Sequence, residues 1–113
     1  MYKDDLIRLR HMLNAAEEAL AFSSGTSKKE FSCDRMATLA VVKDIEIIGE
    51  AAGKVSAETM EKHEAIPWRD IIDMRNRLIH AYYDVDLEVV WDTLRKDLPP
   101  LVKTLREILP PEE

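Results

Sequence analysis

The chain is short of cysteine, glycine and aromatic residues, and it has no long apolar run. Cys33 is the single cysteine, so an intrachain disulfide is impossible and no thiol cluster exists for zinc. A reducing compartment is the natural reading of that usage. Aromatic residues make up only 6% of the chain, too few for a stacking platform of the kind that grips single-stranded nucleic acid. The segment Met1-Tyr2-Lys3-Asp4-Asp5 lacks the apolar core of a signal peptide. No run approaches the length needed to cross a bilayer. A cytoplasmic protein without membrane contact is therefore expected. Positive charge is also scarce: 22 acidic residues stand against 16 basic ones, a formal net charge of −6. That balance favours solubility and opposes non-specific nucleic-acid binding. A nucleic-acid enzyme on this chain would need its basic groups gathered on one face.

What remains is a globular composition, 46% hydrophobic and 34% charged, with Leu, Ile, Val, Ala and Met as the apolar stock and only three glycines. The 113 residues amount to a single domain, 1–113, with a frayed tail over 110–113. A chain of this size buries roughly two-thirds of its unfolded surface. Little length is left for a second lobe. A deep active site would have to be shallow in one chain or shared between two, a first hint of oligomerisation.

Helical periodicity dominates. Leu6, Leu9, Leu13, Ala16 and Leu20 recur at spacings of three and four, predicting a helix from about Asp4 to Phe22. Gly25 marks a reversal, and Lys28 to Asp34 reads either as loop or as the first turn of the next helix. From Arg35 to near Gly53, Met36, Leu39, Val41, Val42, Ile45 and Ile48 form an apolar face broader than one packing partner requires. This helix should lie at the bundle centre or in a subunit contact. Gly49 inside it costs about 1 kcal/mol against Ala, or permits a close crossing. Ser56 suits the N-cap of a short piece, Ala57 to Lys62. Pro67 suits the start of a helix whose core stripe is Ile71, Met74 and Leu78. Regularity fades near Tyr82, Asp86 can cap a further helix, and Pro99-Pro100 should kink it or separate a last one. The expected fold is all-α: an up-down bundle of four principal helices plus short extra helices.

The most informative stretch is Arg75-Asn76-Arg77-Leu78-Ile79-His80-Ala81-Tyr82. On an ideal helix Arg75 and Tyr82 share a face, as do Asn76 and His80. Arg75 and His80 are five apart, about 140° around the axis, and cannot easily meet over one atom. Either the helix loosens before His80, or the two groups converge across a two-fold interface. Chemically, Arg75 suits bidentate phosphate binding and stabilisation of developing charge. His80 suits general acid–base work near neutrality. Asn76 suits orientation of His80 or of a ribose or phosphate oxygen, and Tyr82 suits hydrogen bonding or base stacking. Together they fit attack of a ribose 2′-hydroxyl on the adjacent phosphate without a metal. A polar interface and plain surface decoration are the competing readings of the same residues. Arg69 with Asp73 and Asp73 with Arg77 read as ordinary i,i+4 surface pairs.

The spacing Arg75-x4-His80-x-Tyr82 resembles the signature of HEPN-domain proteins, and most closely the HepT-like branch once grouped as DUF86. Trp68-Arg69 before Met74-Arg75-Asn76, Leu78 through Tyr83, Val85-Asp86 before Val90-Trp91, and Asp97-Leu98-Pro99-Pro100-Leu101 extend the likeness over nearly the whole chain. The resemblance implies a helical homodimer acting as a metal-independent endoribonuclease, with no cofactor, and with Arg75 and His80 as catalytic residues in a cleft at the dimer interface. Asn76 matches the polar residue that often follows the Arg. Tyr82 matches the tyrosine to which a partner minimal nucleotidyltransferase, MntA, adds AMP. The chain would then be the toxin of a toxin–antitoxin pair. Candidate RNA contacts are Arg69, Arg75 and Arg77. The alternative is a non-catalytic helical dimerisation or substrate-binding module that partners a nucleotidyltransferase.

The remaining polar residues read blandly. His11 and His63 look like surface groups, the latter without neighbours at zinc spacing. Asp44, Glu46 and Glu50 look like acids scattered on a helix's polar side, so no metal site is expected. Cys33 has no sequence partner. Trp68 and Trp91 look like packing anchors.

Overall fold

The computed structural model describes residues 1–81 and 84–111, with the backbone alone for 79–81. Among the described residues seven α-helices follow one another: α1 (Lys3–Phe22), α2 (Lys28–Cys33), α3 (Arg35–Gly53), α4 (Ala57–Lys62), α5 (Trp68–Leu78), α6 (Leu87–Asp92) and α7 (Leu98–Ile108). A five-residue π-helical turn, Thr93–Asp97, joins α6 to α7 without a break. The principal helices are thus α1, α3, α5 and the composite rod Leu87–Ile108, with α2 and α4 as short extras. This is the expected all-α bundle with one addition, a two-stranded ribbon between α5 and α6.

Local chemistry explains each boundary. Acidic Asp4 and Asp5 favour the positive end of α1. Gly25 turns the chain at φ 73°, a region open to glycine. The ambiguous stretch Lys28 to Asp34 is helix α2, opened by a capping box in which the Ser27 hydroxyl accepts from the Glu30 amide and the Glu30 carboxylate accepts from the Ser27 amide. Asp34, Ser56 and Asp86 cap α3, α4 and α6.

Pro99 and Pro100 neither kink the last helix into a loop nor divide it. They stand in the first turn of α7, directly after the π turn. The π turn supplies the change of register, with the Leu98 amide donating to the Thr93 carbonyl five residues back.

α1 and α3 pack most extensively, and α3 is also covered by α5, so α3 is the central helix. Leu9, Met12, Val41, Ile45, Leu78 and Leu105 are among the fully or almost fully buried residues of this core. At Gly49 the α3 and α5 backbones approach closely: a Cβ there would lie 3.0 Å from the Ile71 carbonyl oxygen. Glycine here serves the crossing. Asp5 ties α1 to α4, accepting from the Ser56 amide at 2.9 Å and from the Ser56 and Thr59 hydroxyls at 2.6 Å each. No helix among the described residues is long and apolar enough to cross a membrane.

Candidate active site

α5 is held at its start by Trp68, whose indole N–H donates to the His63 carbonyl at 3.1 Å. Met74 and Leu78 are buried beneath it, and Ile71 is half-buried at the Gly49 crossing. This narrow apolar stripe leaves Arg69, Arg75, Asn76 and Arg77 exposed. Arg75 and Arg77 fall in the last turn, where positive charge suits the helix's negative end.

Arg75 leans toward α3. Its Nε lies 3.9 Å from Glu46 Oε1, and its side chain is 64% exposed. An ion pair this long and this wet holds little energy. Among the described residues its terminal guanidinium nitrogens have no protein partner, so the fork that would grip a phosphate is open. Arg77 is two residues, or about 200°, further round the helix. It lines the opposite flank of α5, toward α7, with a weak contact to Met74 Sδ at 3.7 Å. The structure does not bring Arg75 and Arg77 together. Arg69 lies near the start of the helix beside a shallow depression with Glu61 and Glu64. The expected pairs of Asp73 with Arg69 and Arg77 do not form; the ion pairs among the described residues lie elsewhere.

The helix ends at Leu78. Its carbonyl accepts from the Asp86 amide at 2.7 Å, and the chain enters a short antiparallel ribbon, β1 (Ile79–Ala81) with β2 (Asp84–Val85). Ile79 pairs with Val85 and Ala81 with Asp84, with a bulge between them. His80 therefore stands in extended backbone just past the helix. The 140° separation from Arg75 that a straight helix would impose does not apply. Of the two arrangements the spacing allowed, the loosening before His80 is present within one chain. The His80 side chain and the whole of Tyr82 lie outside the described residues.

Exposed apolar side chains stand on both α3 and α5. Met36 is 84% exposed and Leu39 44% on α3, and Ile72, 39% exposed, stands one turn before Arg75 on α5. The broad apolar face expected for α3 is thus partly core and partly open surface.

The α3 acids do not form one polar stripe. Glu50 is exposed and Glu46 half-buried, but Asp44 is almost fully buried, and its Oδ2 has no hydrogen-bond partner. Burial, reinforced by hydrogen bonding with Glu18 of α1 and by Glu18's charge, pushes the Asp44 carboxyl up to about 7. Sequence reasoning misses this group, although Asp44 stands three residues after Val41 and four before Ile48, inside the apolar register. No group of three or more potential metal ligands occurs among the described residues. His11 and Cys33 are exposed, Trp68 is buried, and Trp91 packs on Phe31 with the Arg95 guanidinium 4.3 Å above its ring.

Known proteins share this sequence over most of its length. The family model described as "Ribonuclease HepT-like" matches residues 12–108. A protein of Caldanaerobacter subterraneus subsp. tengcongensis named "Putative RNase" is 39% identical over 105 residues, covering 93% of this chain and 94% of that protein. The "Probable ribonuclease HepT" of Thermococcus cleftensis is 37% identical over 100 residues, 88% of each chain. No solved structure gives a significant match.

Proposed function

Because the chain belongs to the ribonuclease HepT-like family, we propose that it is a metal-independent RNA endonuclease in which Arg75 and His80 act together in a cleft between two copies. The observation that carries this reading is the open Arg75 guanidinium, one short helix turn before a backbone break that frees His80 from the helix. In this reading Arg75 binds the scissile phosphate and stabilises the charge that builds on its oxygens. His80 removes the proton of the ribose 2′-hydroxyl as that oxygen attacks phosphorus, and the P–O5′ bond breaks. The leaving oxygen takes up a proton, giving a cyclic 2′,3′-phosphate and a 5′-hydroxyl. Asn76 orients His80 or a ribose oxygen.

The second copy is proposed to cover Met36 and Leu39 of α3 and Ile72 of α5, apolar side chains that a lone chain leaves wet. Arg69 is the proposed auxiliary contact to the RNA backbone. Arg77, on the far flank of α5, is set apart from it. Tyr82 is proposed as the site where a cognate minimal nucleotidyltransferase of the MntA kind adds AMP, bringing bulk and negative charge that repel an RNA backbone. The chain is then the toxin of a toxin–antitoxin pair.

The test is cleavage of RNA by purified protein in EDTA. His80→Ala and Arg75→Ala should each lower the rate by about 100-fold or more with the fold intact by circular dichroism. Unchanged cleavage by H80A sinks the proposal. Incubation with the cognate transferase and ATP should add one AMP to Tyr82 by mass spectrometry, and modification only elsewhere refutes that assignment.

A further inference from the structure

The bundle is closed on three sides. α1 packs on α3, α3 on α5, and α1 on α7, but α5 and α7 scarcely touch. Between them lies a cleft of about 360 Å³. Its floor is apolar: Ile45 and Ile48 of α3, Ile66, Met74, Leu98 and Leu101, all buried. That volume falls at the lower end of the range for small-molecule sites, which run from about 300 to 1,000 Å³ and are mostly apolar with a few placed polar groups.

The polar groups around this cleft are unevenly committed. The Thr93 hydroxyl already donates to the Val89 carbonyl at 2.8 Å, so it offers the floor no free donor. Lys96 is held by Asp92 on the outer surface at 3.7 Å. Arg77 has no carboxylate partner among the described residues; its contact is the soft Met74 sulfur. A guanidinium beside an apolar floor, with its fork unfilled, is suited to a carboxylate, sulfonate or phosphate. Asp70 also lines the cleft, seven residues before Arg77 and so about 10.5 Å along the axis. With Asp97 it disfavours a negative group over the rest of the rim, which gives an anion one preferred end. The π turn contributes Thr93, Lys96 and Asp97 to this wall, and π insertions in α-helices are frequent at functional sites.

We propose that the α5–α7 cleft binds a small anionic amphiphile, its apolar body over Ile45, Ile48 and Leu101 and its anionic group on the Arg77 guanidinium. The cleft lies on the flank of α5 opposite Arg75, so this site is separate from the proposed RNA cleft. It stands whether or not the chain cleaves RNA.

Decanoate and decanol are suitable probes, since they share an apolar body and differ in charge. Titration of the full chain, followed by methyl NMR and calorimetry, should show one decanoate per chain, shifting the Ile45, Ile48 and Leu101 methyls. Decanol should bind at least about tenfold more weakly, since the charge-assisted bond would be missing. Arg77→Gln should bring decanoate down to the level of decanol. Thr104→Trp, filling the rim from α7, should remove binding of both; if that variant melts, Ala65→Trp fills the cleft from the other side. Absence of binding overturns the proposal, as do shifts confined to Met36 and Leu39, equal affinity of the two probes, or unchanged binding in a folded rim-filled variant.

Discussion

A carboxyl group buried between two helices resists ionisation, and Asp44 does so beside a second acid, Glu18. Its proton is held up to about pH 7, whereas in the unfolded chain it leaves near the ordinary aspartate value of 3.8. Between those limits the folded state binds more protons than the unfolded one, so stability falls as pH rises from about 4 to about 7 and then levels. Asp44→Asn removes this slope. It should raise stability by about 2–4 kcal/mol above pH 7 and change little near pH 4, read as urea midpoints across pH. Asp5 behaves in the opposite sense. Burial alone pushes it up, but the hydrogen bonds from Ser56 and Thr59 outweigh that and hold its carboxyl below the usual range. Its contribution is present at neutral pH and lost as pH falls through its folded value. Asp5→Asn should therefore cost about 1–3 kcal/mol at pH 7, with the deficit shrinking in acid. Both residues are visible in the sequence only as acids. Asp44 can be found from its place in the Val41–Ile48 apolar register. Asp5 cannot, because its partners are more than fifty residues away.

Among the elements, the helices are legible because the long ones carry an apolar period and the short ones a side-chain cap. Ser56 and Asp86 stand where local hydrogen-bond chemistry puts them, and Ser27-x-x-Glu30 spells a capping box that resolves the ambiguity of Lys28 to Asp34. The ribbon is not legible. Three residues against two offer too short an alternation, and they follow a helical stripe that runs on through Leu78 and Ile79. The prolines mislead for a related reason: the π turn that accommodates them depends on packing, not on local preference. Gly49 is open to two readings, a tolerated cost or a close crossing, and the 3.0 Å approach of a Cβ to the Ile71 carbonyl decides for the second. Gly49→Val must push α5 off α3. We expect a loss of about 1–3 kcal/mol from overpacking, with RNA cleavage falling further than stability explains because Arg75 rides on α5. A Val variant with full cleavage and an unshifted melting temperature would show that the crossing is slack.

For the whole molecule, the size argument and the surface point the same way. The single chain leaves Met36 and Leu39 of α3 and Ile72 of α5 open, and 113 residues leave little length for a deep catalytic cleft built by one chain alone. The candidate site is legible as residue types and spacing: Arg75, Asn76 and His80 suit phosphate chemistry, but by themselves they suit a polar interface or plain surface as well, and only the family resemblance favours the first. What spacing cannot decide is whether Arg75 and His80 of one chain serve the same site. Complementation separates the two arrangements. If the Arg comes from one chain and the His from the other, a mixed dimer of Arg75→Ala with His80→Ala has one site carrying both lesions and one carrying neither. Random re-pairing makes half the dimers mixed, so unfolding and refolding the two inactive proteins together should restore about a quarter of wild-type cleavage. If both groups of a site belong to one chain, every site in the mixed dimer carries one lesion, and the mixture stays as inactive as its parents. Recovery must also require pairing: Leu39→Glu in both variants, placing like charges across the proposed two-fold contact, should abolish it and yield monomers by light scattering. Activity at the wild-type level in a monomeric Leu39→Glu chain that keeps both Arg75 and His80 would dismiss the shared cleft, and with it the role assigned to the open face of α3.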